Sequence, residues 1–230
     1  VDVYRALYAG LAGRWVARGC FEHRVDVVPG DRDVEEAWVS LGFGRAMTAA
    51  TRTLADVLPT APRSDVTVTR ATPEDIDVTM ALAEALARHH SRSPMFWPFL
   101  PLTFPAQRDL AIAALARDDC PTFIAHSAGR PVGMHAFLGE LRFSPRIVPA
   151  AGDIYLWEGI VEEDARGLGV GTQLLAESLN WAAGHGYRTC TLHFASGNPS
   201  GAPFWLGHGF VPVLHTMSRH VDERIAWAHP

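Results

Sequence analysis

The pattern of apolar and polar positions divides the chain into alternating helices and strands. Between residues 4 and 18, apolar side chains recur every three or four positions, as on the buried face of a helix, and Gly19 predicts where that helix ends. In the first quarter of the chain the pattern predicts a helix over 4–18, a strand over 21–28, a helix over 31–41 and a turn over 42–44.

Prolines and small polar residues interrupt both patterns between Leu58 and Asp65, and we expect a linker there. Beyond it the pattern predicts strands over 66–69, 122–126, 131–141, 154–161 and 188–194, and helices over 73–90, 106–117 and 171–185. The proline-rich and aromatic segment 91–105 is predicted to be a loop that covers apolar surface. This alternation of elements predicts a mixed α/β fold.

The two ends of the chain share a spaced pattern of glycine, tryptophan and phenylalanine. Trp38 is followed by a Gly-Phe pair at 42–43, and Trp205 by the same pair at 209–210, a shift of 167 residues. A glycine stands 19 residues before each tryptophan, with a predicted helix before it and a strand after it. Chance could produce one such match, but the shared elements favour a structural repeat.

Composition limits the class of protein. A chain of 230 residues is long enough for one well-packed domain and part of a second. Its residues are 48% hydrophobic and 20% charged, which is typical of globular proteins. No apolar run reaches the roughly 20 residues that span a bilayer, and the first five residues do not look like a signal peptide, so we expect a soluble cytoplasmic protein without a membrane partner.

Charge and cysteine content exclude further classes. All 20 basic residues are arginines, the net charge is −5, and no basic stripe is present, so nucleic acid is not expected as a partner. The three cysteines, Cys20, Cys120 and Cys190, are far apart, and with the histidines and carboxylates they form no regular metal-ligand spacing, so no metal is expected.

A glycine-rich segment lies between a predicted strand and a predicted helix. It consists of Arg166, Gly167, Leu168, Gly169, Val170 and Gly171. Glycines let the backbone turn tightly, and successive N–H groups at the start of a helix form an anion site that suits a pyrophosphate. The alternatives are a glycine turn without a ligand, or a dinucleotide fold, which expects this loop after the first strand of the chain.

The surroundings of this segment resemble the GNAT acetyltransferase family. The cofactor signature of that family is Arg or Gln, two residues, Gly, one residue, then Gly or Ala, and it is filled by Arg166, Gly169 and Gly171, with Val161 five residues earlier. A second pattern of the family is filled downstream by Asn198, Gly201, Phe204, Trp205, Gly209 and Phe210. The resemblance covers about residues 66–225.

The resemblance implies a GNAT fold, with helices flanking a mixed, mostly antiparallel sheet whose central strand pair is splayed, and acetyl-CoA as the cosubstrate. It implies cofactor contacts for Ile160, Val161, Arg166, Gly167, Leu168, Gly169, Val170, Gly171, Thr172, Asn198 and Phe204. The acetyl-CoA pyrophosphate would bind the glycine loop, and the pantetheine arm would follow the strand that ends at Val161.

Through the repeat, residues 1–57 resemble a partial GNAT-like lobe, followed by a linker over 58–65 and a catalytic domain over 66–230, as in tandem GNAT proteins from actinobacteria. Asp2 and Tyr4 stand where the shift of 167 would place Gly169 and Gly171. The first copy therefore lacks the glycines that cradle a pyrophosphate. It is expected to be a degenerate structural lobe or the remnant of a longer parent chain.

Acyl transfer to an amine needs a base, a stabilised oxyanion and a leaving thiolate. Glu158 is the candidate general base, because it is the one carboxylate in the apolar stretch 154–161; a solvent-facing or arginine-paired Glu158 is the alternative. A backbone N–H near Ile160 or Val161 could stabilise the oxyanion. Trp205 stands at the usual tyrosine position of the general acid and is not expected to act as an acid.

The acceptor pocket of the family would lie near His89, His90 and Trp97, although adjacent histidines also fit a solvated helix end. The leading hypothesis is an N-acetyltransferase acting on a primary amine of a small molecule or peptide. An acyl-CoA-binding regulatory module without turnover, and a tandem transferase with another acyl donor, are the alternatives. A homodimer is left open.

Overall fold

The structure is a computed structural model that describes residues 2–55, 65–139 and 151–228. Residues 58–64 of the predicted linker and the last two residues of the strand predicted over 131–141 lie outside these ranges. The described residues form six α-helices: α1 (Asp2–Val16), α2 (Arg32–Ser40), α3 (Ile76–Ser91), α4 (Phe104–Leu115), α5 (Val170–Gly184) and α6 (Gly201–Gly207).

The same residues form eight strands in one sheet. They are β1 (Glu22–Val27), β2 (Gly44–Thr53), β3 (Val66–Arg70), β4 (Thr122–Ser127), β5 (Arg130–Leu138), β6 (Asp153–Val161), β7 (Thr189–Ala195) and β8 (Val211–His220). Their order is β1-β8-β2-β7-β6-β5-β4-β3. The β1–β8, β3–β4, β4–β5 and β5–β6 pairs are antiparallel, whereas β6 and β7 are parallel. The predicted mixed α/β class with a mostly antiparallel sheet is confirmed.

Two strands were not predicted from the sequence. The stretch that forms β2 contains three alanines among its first seven residues and lacks the β-branched and aromatic alternation that marks a strand. Its inward positions are small, with Thr48 and Ala50 both buried, so tertiary packing rather than propensity selects the extended conformation. The other strand, β8, follows the Gly-Phe pair of the second copy in the same way as β2 follows that of the first.

The chain divides into two compact units: unit 1 comprises residues 1–50 and 193–230, and unit 2 comprises residues 51–192. In unit 2 a core cluster joins α3, α4 and the sheet, and its buried members are Ala71, Leu82, Leu115, Ile124, Met134 and Ile160. Helix α5 lies on β5: Leu174 Cδ2 is 3.5 Å from the position that a Cβ on Gly133 would take. Ser178 Oγ lies 3.1 Å from His135 Nδ1, also on β5.

The core of unit 1 is aromatic. Tyr8 of α1 and Trp38 of α2 each lie edge-on to Phe43, with ring centroids 5.1 Å apart in both pairs. The Tyr8 hydroxyl lies 2.7 Å from His23 Nδ1 on β1, which gives this buried histidine a polar partner. Arg219 of β8 is bound to the Leu41 carbonyl at the end of α2. Ring contacts therefore make up much of this core, together with the buried side chains of Val27 and Met217.

Several local features recur at the shift of 167 residues. Strand β8 has the bounds of β2 moved by 167 positions. The turn after each tryptophan helix uses the same bond, from Phe43 N to Trp38 O at 3.1 Å and from Phe210 N to Trp205 O at 3.2 Å. Both turns pass through a glycine with positive φ, 85° in the first and 81° in the second.

The strand pairing also recurs. Val221 N donates to Phe21 O at 2.8 Å, and the residues 167 positions away form the matching bond, from Leu54 N to Arg188 O at 2.9 Å. Within unit 1, Thr48 Oγ1 lies 3.0 Å from His215 Nδ1, and these two residues are themselves 167 positions apart. If each strand is replaced by its counterpart 167 residues away, the strand order β1-β8-β2-β7 is reversed into itself.

Candidate active site

Strand β6 leads to the candidate site. Its parallel register with β7 covers four pairs, from Asp153–Thr189 to Leu156–Leu192. Beyond Leu156, β6 continues to Val161 with β5 as its antiparallel neighbour.

Glu158 lies in this second half of β6, opposite Ala136 in the register with β5. Its side chain is partly buried, and burial raises the pKa of its carboxyl to about 7, while a hydrogen bond with Trp157 acts in the opposite direction. A carboxyl with that pKa exchanges a proton readily near neutral pH. The electrostatic condition for a general base is therefore met at this residue.

The glycine loop contains two glycines in the left-handed region of backbone conformation. Gly167 and Gly169 both have positive φ, 72° and 82°, a region that side chains with a Cβ rarely adopt. Gly169 is the N-cap of α5, and it has no side chain to accept a bond from the first-turn amides. Residues 167–169, which precede this first turn, are exposed to solvent.

Arg166 contributes in a way that its place in the motif did not predict. Its Nε donates to Val161 O at 2.9 Å, and this bond ties the loop to the last residue of β6. One nitrogen of the guanidinium, Nε, is therefore hydrogen-bonded to the end of β6. The five-residue spacing between Val161 and Arg166, which the sequence displays, is the signal from which this contact could have been found.

A second arginine holds the segment between β6 and the glycine loop, and sequence reasoning missed it. Arg130, at the start of β5, forms ion pairs with Glu162 and with Asp164, the latter at 2.7 Å. The backbone adds a bond from Glu162 N to Val132 O at 2.8 Å. These contacts fix the path by which β6 enters the loop, although exposed ion pairs of this kind contribute little stability.

Two of the three residues predicted to lie near the pocket for the acceptor substrate are in close contact. The rings of His90, near the end of α3, and Trp97 are 5.0 Å apart, and Trp97 N donates to His90 O at 2.9 Å. The ring of His89 lies 5.9 Å from that of His90. All three side chains are half-buried rather than fully solvated, and they line the turn in which α3 ends.

In unit 1, Asn198 caps the start of α6. Its Oδ1 accepts from Ser200 N at 3.1 Å and from Gly201 N at 2.9 Å. A Cβ on Gly201 would stand 2.8 Å from Asn198 Nδ2, which explains why this position of the pattern is small. The side-chain oxygen of Asn198 therefore stabilises the start of α6.

Trp205 is buried among other rings. It lies edge-on to Phe210 at 5.7 Å and to Phe204 at 4.9 Å. An indole N–H can donate a hydrogen bond but does not transfer a proton near neutral pH. The histidines considered as substitutes are also constrained: burial lowers the pKa of His193, and His208 Nδ1 lies 2.7 Å from Phe204 O.

Within residues 2–55, 65–139 and 151–228, no group of three or more histidine, cysteine or carboxylate side chains is arranged to hold a metal ion. None of the helices in those ranges combines the length and the apolar character that crossing a bilayer requires.

Comparison with known families gives one match. The family model described as "Acetyltransferase (GNAT) family" matches residues 84–210, which include β6, the glycine loop and the Trp205 helix. No curated protein sequence matches the chain.

Solved structures agree on the fold. A conserved protein of unknown function from Staphylococcus epidermidis matches with a TM-score of 0.60 at 12% identity, over 95% of this chain and 80% of that one. A GCN5-related N-acetyltransferase from Sphaerobacter thermophilus matches at 0.56 and 17%, over 86% of this chain and 59% of that one. An aminoglycoside N-acetyltransferase in complex with CoA matches at 0.53 and 18%, over 67% and 93%.

Proposed function

We propose, since the chain belongs to the GNAT family of acetyltransferases, that it transfers an acetyl group from acetyl-CoA to a primary amine of a small molecule or peptide. The observation that carries the proposal is the turn between β6 and α5, where Gly167 and Gly169 take the left-handed conformation. This is the backbone shape that lets helix N–H groups grip a diphosphate.

Acetyl-CoA supplies the activated acyl group, and this chain's residues would hold it in two places. We propose that its diphosphate binds the amides of residues 167–172 and that its pantetheine arm follows the end of β6 near Ile160 and Val161. The remaining proposed contacts are those of Asn198 and Phe204 in unit 1. Arg166 acts through its bond to Val161 O, which joins the two places into one rigid turn.

Glu158 acts as the general base in this proposal. The amine nitrogen must be neutral to attack the thioester carbon, and the proton that it loses as the C–N bond forms passes to the Glu158 carboxylate, directly or through a water. A pKa of about 7 leaves the carboxylate substantially ionised at neutral pH and basic enough to accept that proton.

The leaving group needs no dedicated acid. When the C–S bond breaks, the electron pair goes to sulfur, and a thiolate of ordinary pKa, about 8.5, is a tolerable leaving group near backbone dipoles. Trp205, buried against Phe210, is in our proposal a packing residue. His193 also remains neutral at pH 7, because burial lowers its pKa, and a neutral imidazole is a poor acid.

We further propose that His90 and Trp97, with His89, form part of the wall of the acceptor pocket. The contact between the His90 and Trp97 rings at the end of α3 supports this assignment. A wall of half-buried rings suits the carbon chain that carries an amine better than it suits a phosphate or a carboxylate.

At the level of the whole chain, we propose the tandem GNAT type known from actinobacteria, with a degenerate lobe over 1–57, a linker over 58–65 and a catalytic domain over 66–230. The recurrence of turns and strand pairing at a shift of 167 residues supports the repeat. We also propose a cytoplasmic protein that works without metal, nucleic acid or membrane, as a monomer or homodimer.

The test is thiol release from acetyl-CoA in the presence of a broad panel of amines, alongside the shift in melting temperature caused by CoA. Thermal protection together with amine-dependent thiol release supports the proposal. Protection without release from any amine overturns it in favour of an acyl-CoA-binding module, which the tryptophan at the tyrosine position favours. Repeating the panel with longer acyl donors tests the choice of acetyl.

A further inference from the structure

Strand β6 contains a β-bulge next to the candidate base. In the register with β5, Ala136 lies opposite Glu158. The next residue of β5, Phe137, lies opposite Leu156, so one step along β5 corresponds to two steps along β6, and Trp157 is the additional residue. A bulge bends its strand and interrupts the alternation by which successive side chains point to opposite faces of a sheet. Neighbouring side chains can then lie on the same face.

The contacts of Trp157 show that its side chain lies on the same face as that of Glu158. Tyr155 is opposite Leu138 in the register with β5. Because Leu138 lies two positions beyond the partner of Glu158, Tyr155 and Glu158 share a face. The rings of Tyr155 and Trp157 have centroids 6.2 Å apart. On that same face the Trp157 indole N–H donates a hydrogen bond to the Glu158 carboxylate.

This face of the sheet is the one on which α3 packs. Ile160, two positions beyond Glu158 on β6, lies in the core cluster with Leu82 of α3. Side chains two positions apart on a strand share a face, so Glu158 and Trp157 lie on the α3 side. The last turn of that helix carries the histidines of the proposed acceptor wall. The bond between tryptophan and carboxylate therefore lies on the side of the sheet from which the acceptor amine is proposed to approach.

Packing alone does not account for Trp157. Its relative exposure is 44%, so nearly half of a large apolar ring system remains in solvent. Trp205, by contrast, is buried among other rings, as expected for a packing tryptophan. The distinguishing feature of Trp157 is polar, because its N–H reaches a carboxyl group whose protonated form is favoured by burial.

We propose that Trp157 is a positioning residue for acyl transfer: its indole N–H holds one oxygen of the Glu158 carboxylate and leaves the other to accept the proton of the attacking amine. This inference rests on the proposed role of Glu158 as the general base. The amine proton passes to the carboxylate as the C–N bond forms. The indole keeps its own proton throughout, because it does not ionise near neutral pH.

The same bond keeps the base ionised. Burial raises the pKa of Glu158, to about 7, and the hydrogen bond from Trp157 acts against that rise because it stabilises the charged form. Without the donor, burial would act alone and the pKa would be higher. A smaller fraction of the carboxyl would then be able to accept a proton at neutral pH.

Other titratable groups lie on β6 and on the elements packed against it. They are Asp77, Glu84, Arg88, His89 and His90 on α3, Arg130 and His135 on β5, Glu177 on α5, and Asp153 on β6 itself. Glu84 and Arg88 form an ion pair with each other. His135 lies 3.1 Å from the Ser178 hydroxyl of α5, on the other side of the sheet. Burial and the Trp157 bond, rather than these groups, shift the pKa of Glu158.

The kinetic test compares two substitutions at one position. Trp157→Phe removes the N–H and keeps an aromatic ring, whereas Trp157→Gln places an amide N–H at the same number of bonds from Cβ as the indole N–H. Trp157→Phe should move the midpoint of the rise in kcat/KM with pH upward by at least about 0.5 pH unit, and lower the plateau about fivefold. Trp157→Gln should bring the midpoint back towards that of the wild type.

The matched control is Trp181→Phe, which removes an indole on α5 that stacks on His185, and it should keep the wild-type profile. Equal midpoints in the wild type and Trp157→Phe overturn the proposal. So does a rise in KM for the amine with an unchanged midpoint, because the exposed ring would then bind substrate. A Trp157→Gln variant with the midpoint of Trp157→Phe also overturns it, because the ring rather than the donor would be what matters.

A second measurement does not depend on turnover. The indole ¹H–¹⁵N NMR signal of Trp157, assigned by its absence from Trp157→Phe, should shift with pH around a midpoint of about 7 in the wild type and stay constant in Glu158→Gln. A wild-type signal that does not respond to pH overturns the proposal even if the enzyme is active. If the signal responds but no amine is acetylated, the proposed function is what fails, and Trp157 loses its role in acyl transfer although the bond exists.

Discussion

Glu158 illustrates how position on a strand sets the acidity of a side chain. Because burial raises its pKa to about 7, the carboxylate form, which can accept a proton, is lost as the pH falls below 7. We therefore expect kcat/KM to rise with pH and level off above about pH 7. Glu158→Gln should remove this dependence of kcat/KM on pH. It should also lower kcat about 10²-fold, which is a usual contribution of general-base catalysis to the rate. Steady-state rates from pH 5.5 to 9 check both effects.

The matched control is Glu177→Gln, an exposed carboxylate on the outside of α5. It should keep the wild-type profile. CoA affinity, measured by calorimetry, should be unchanged in both variants, since the reaction step rather than binding is affected. If the Glu158→Gln variant keeps the full rate and the same rise of kcat/KM with pH, Glu158 is not the general base.

If the glycine loop binds the cofactor as proposed, Gly169 is the residue whose substitution should weaken binding most. Its φ of 82° strains any residue with a Cβ, and a β-branched side chain at the N-cap of α5 would also stand where the diphosphate approaches. Gly169→Val should weaken CoA binding at least a hundredfold by calorimetry. Gly184→Val, at the other end of the same helix, has open space around its Cβ and an ordinary φ, so it should bind CoA normally. Equal affinities in the two variants would contradict the loop assignment.

At the scale of secondary-structure elements, the end of the sheet where β6 and β7 begin leads to a prediction about stability. Asp153 is buried at the first register pair, where Thr189 and Thr191 donate to its Oδ1 at 2.7 and 2.9 Å. Its Oδ2 has no hydrogen-bond partner within the described structure. Burial raises its pKa, so the folded state holds the proton more tightly than the unfolded chain does. The associated stability is present below about pH 3.9 and is lost as the pH rises through the raised pKa.

Asp153→Asn carries no charge at any of these pH values. Relative to wild type, the variant should therefore become more stable as the pH rises from 4 to 7, which urea unfolding at several pH values would reveal. Asp222→Asn is the contrasting control. A hydrogen bond from Arg224 lowers the pKa of Asp222, so that variant should shift slightly in the opposite direction. Parallel pH curves for wild type and Asp153→Asn would show that this carboxyl titrates as in the unfolded chain.

The elements also show which parts of the fold a sequence can predict. The helix with the Trp205 pattern and the strand before the glycine loop were predictable, because their periodicity and the positive-φ glycines are local signals. Strand β2 was not predictable, because its alanine-rich sequence shows no strand pattern. Its extended conformation depends on packing against residues that are distant in the sequence. In the site, the loop conformation followed from its glycines, whereas the Arg130 ion pairs join residues 32 and 34 positions apart and left no local trace.

At the scale of the whole molecule, the two copies differ in what their first helix can bind. In the second copy, α5 starts after left-handed glycines; at a shift of 167 residues the first copy has Asp2 and Tyr4 in place of Gly169 and Gly171. The repeat thus keeps the turns and the strand pairing but not the glycines of the loop.

This difference predicts the stoichiometry of cofactor binding. Calorimetric titration with CoA should give one site per chain, and Gly169→Val should abolish that site without revealing a weaker one. If the first copy retained a site, titration of the wild type would approach two sites, and the variant would keep one with its own affinity. Such a result would mean that main-chain amides alone, without left-handed glycines, suffice to hold the diphosphate. It would refute the proposed degenerate lobe but would not bear on the proposed catalytic role of Glu158.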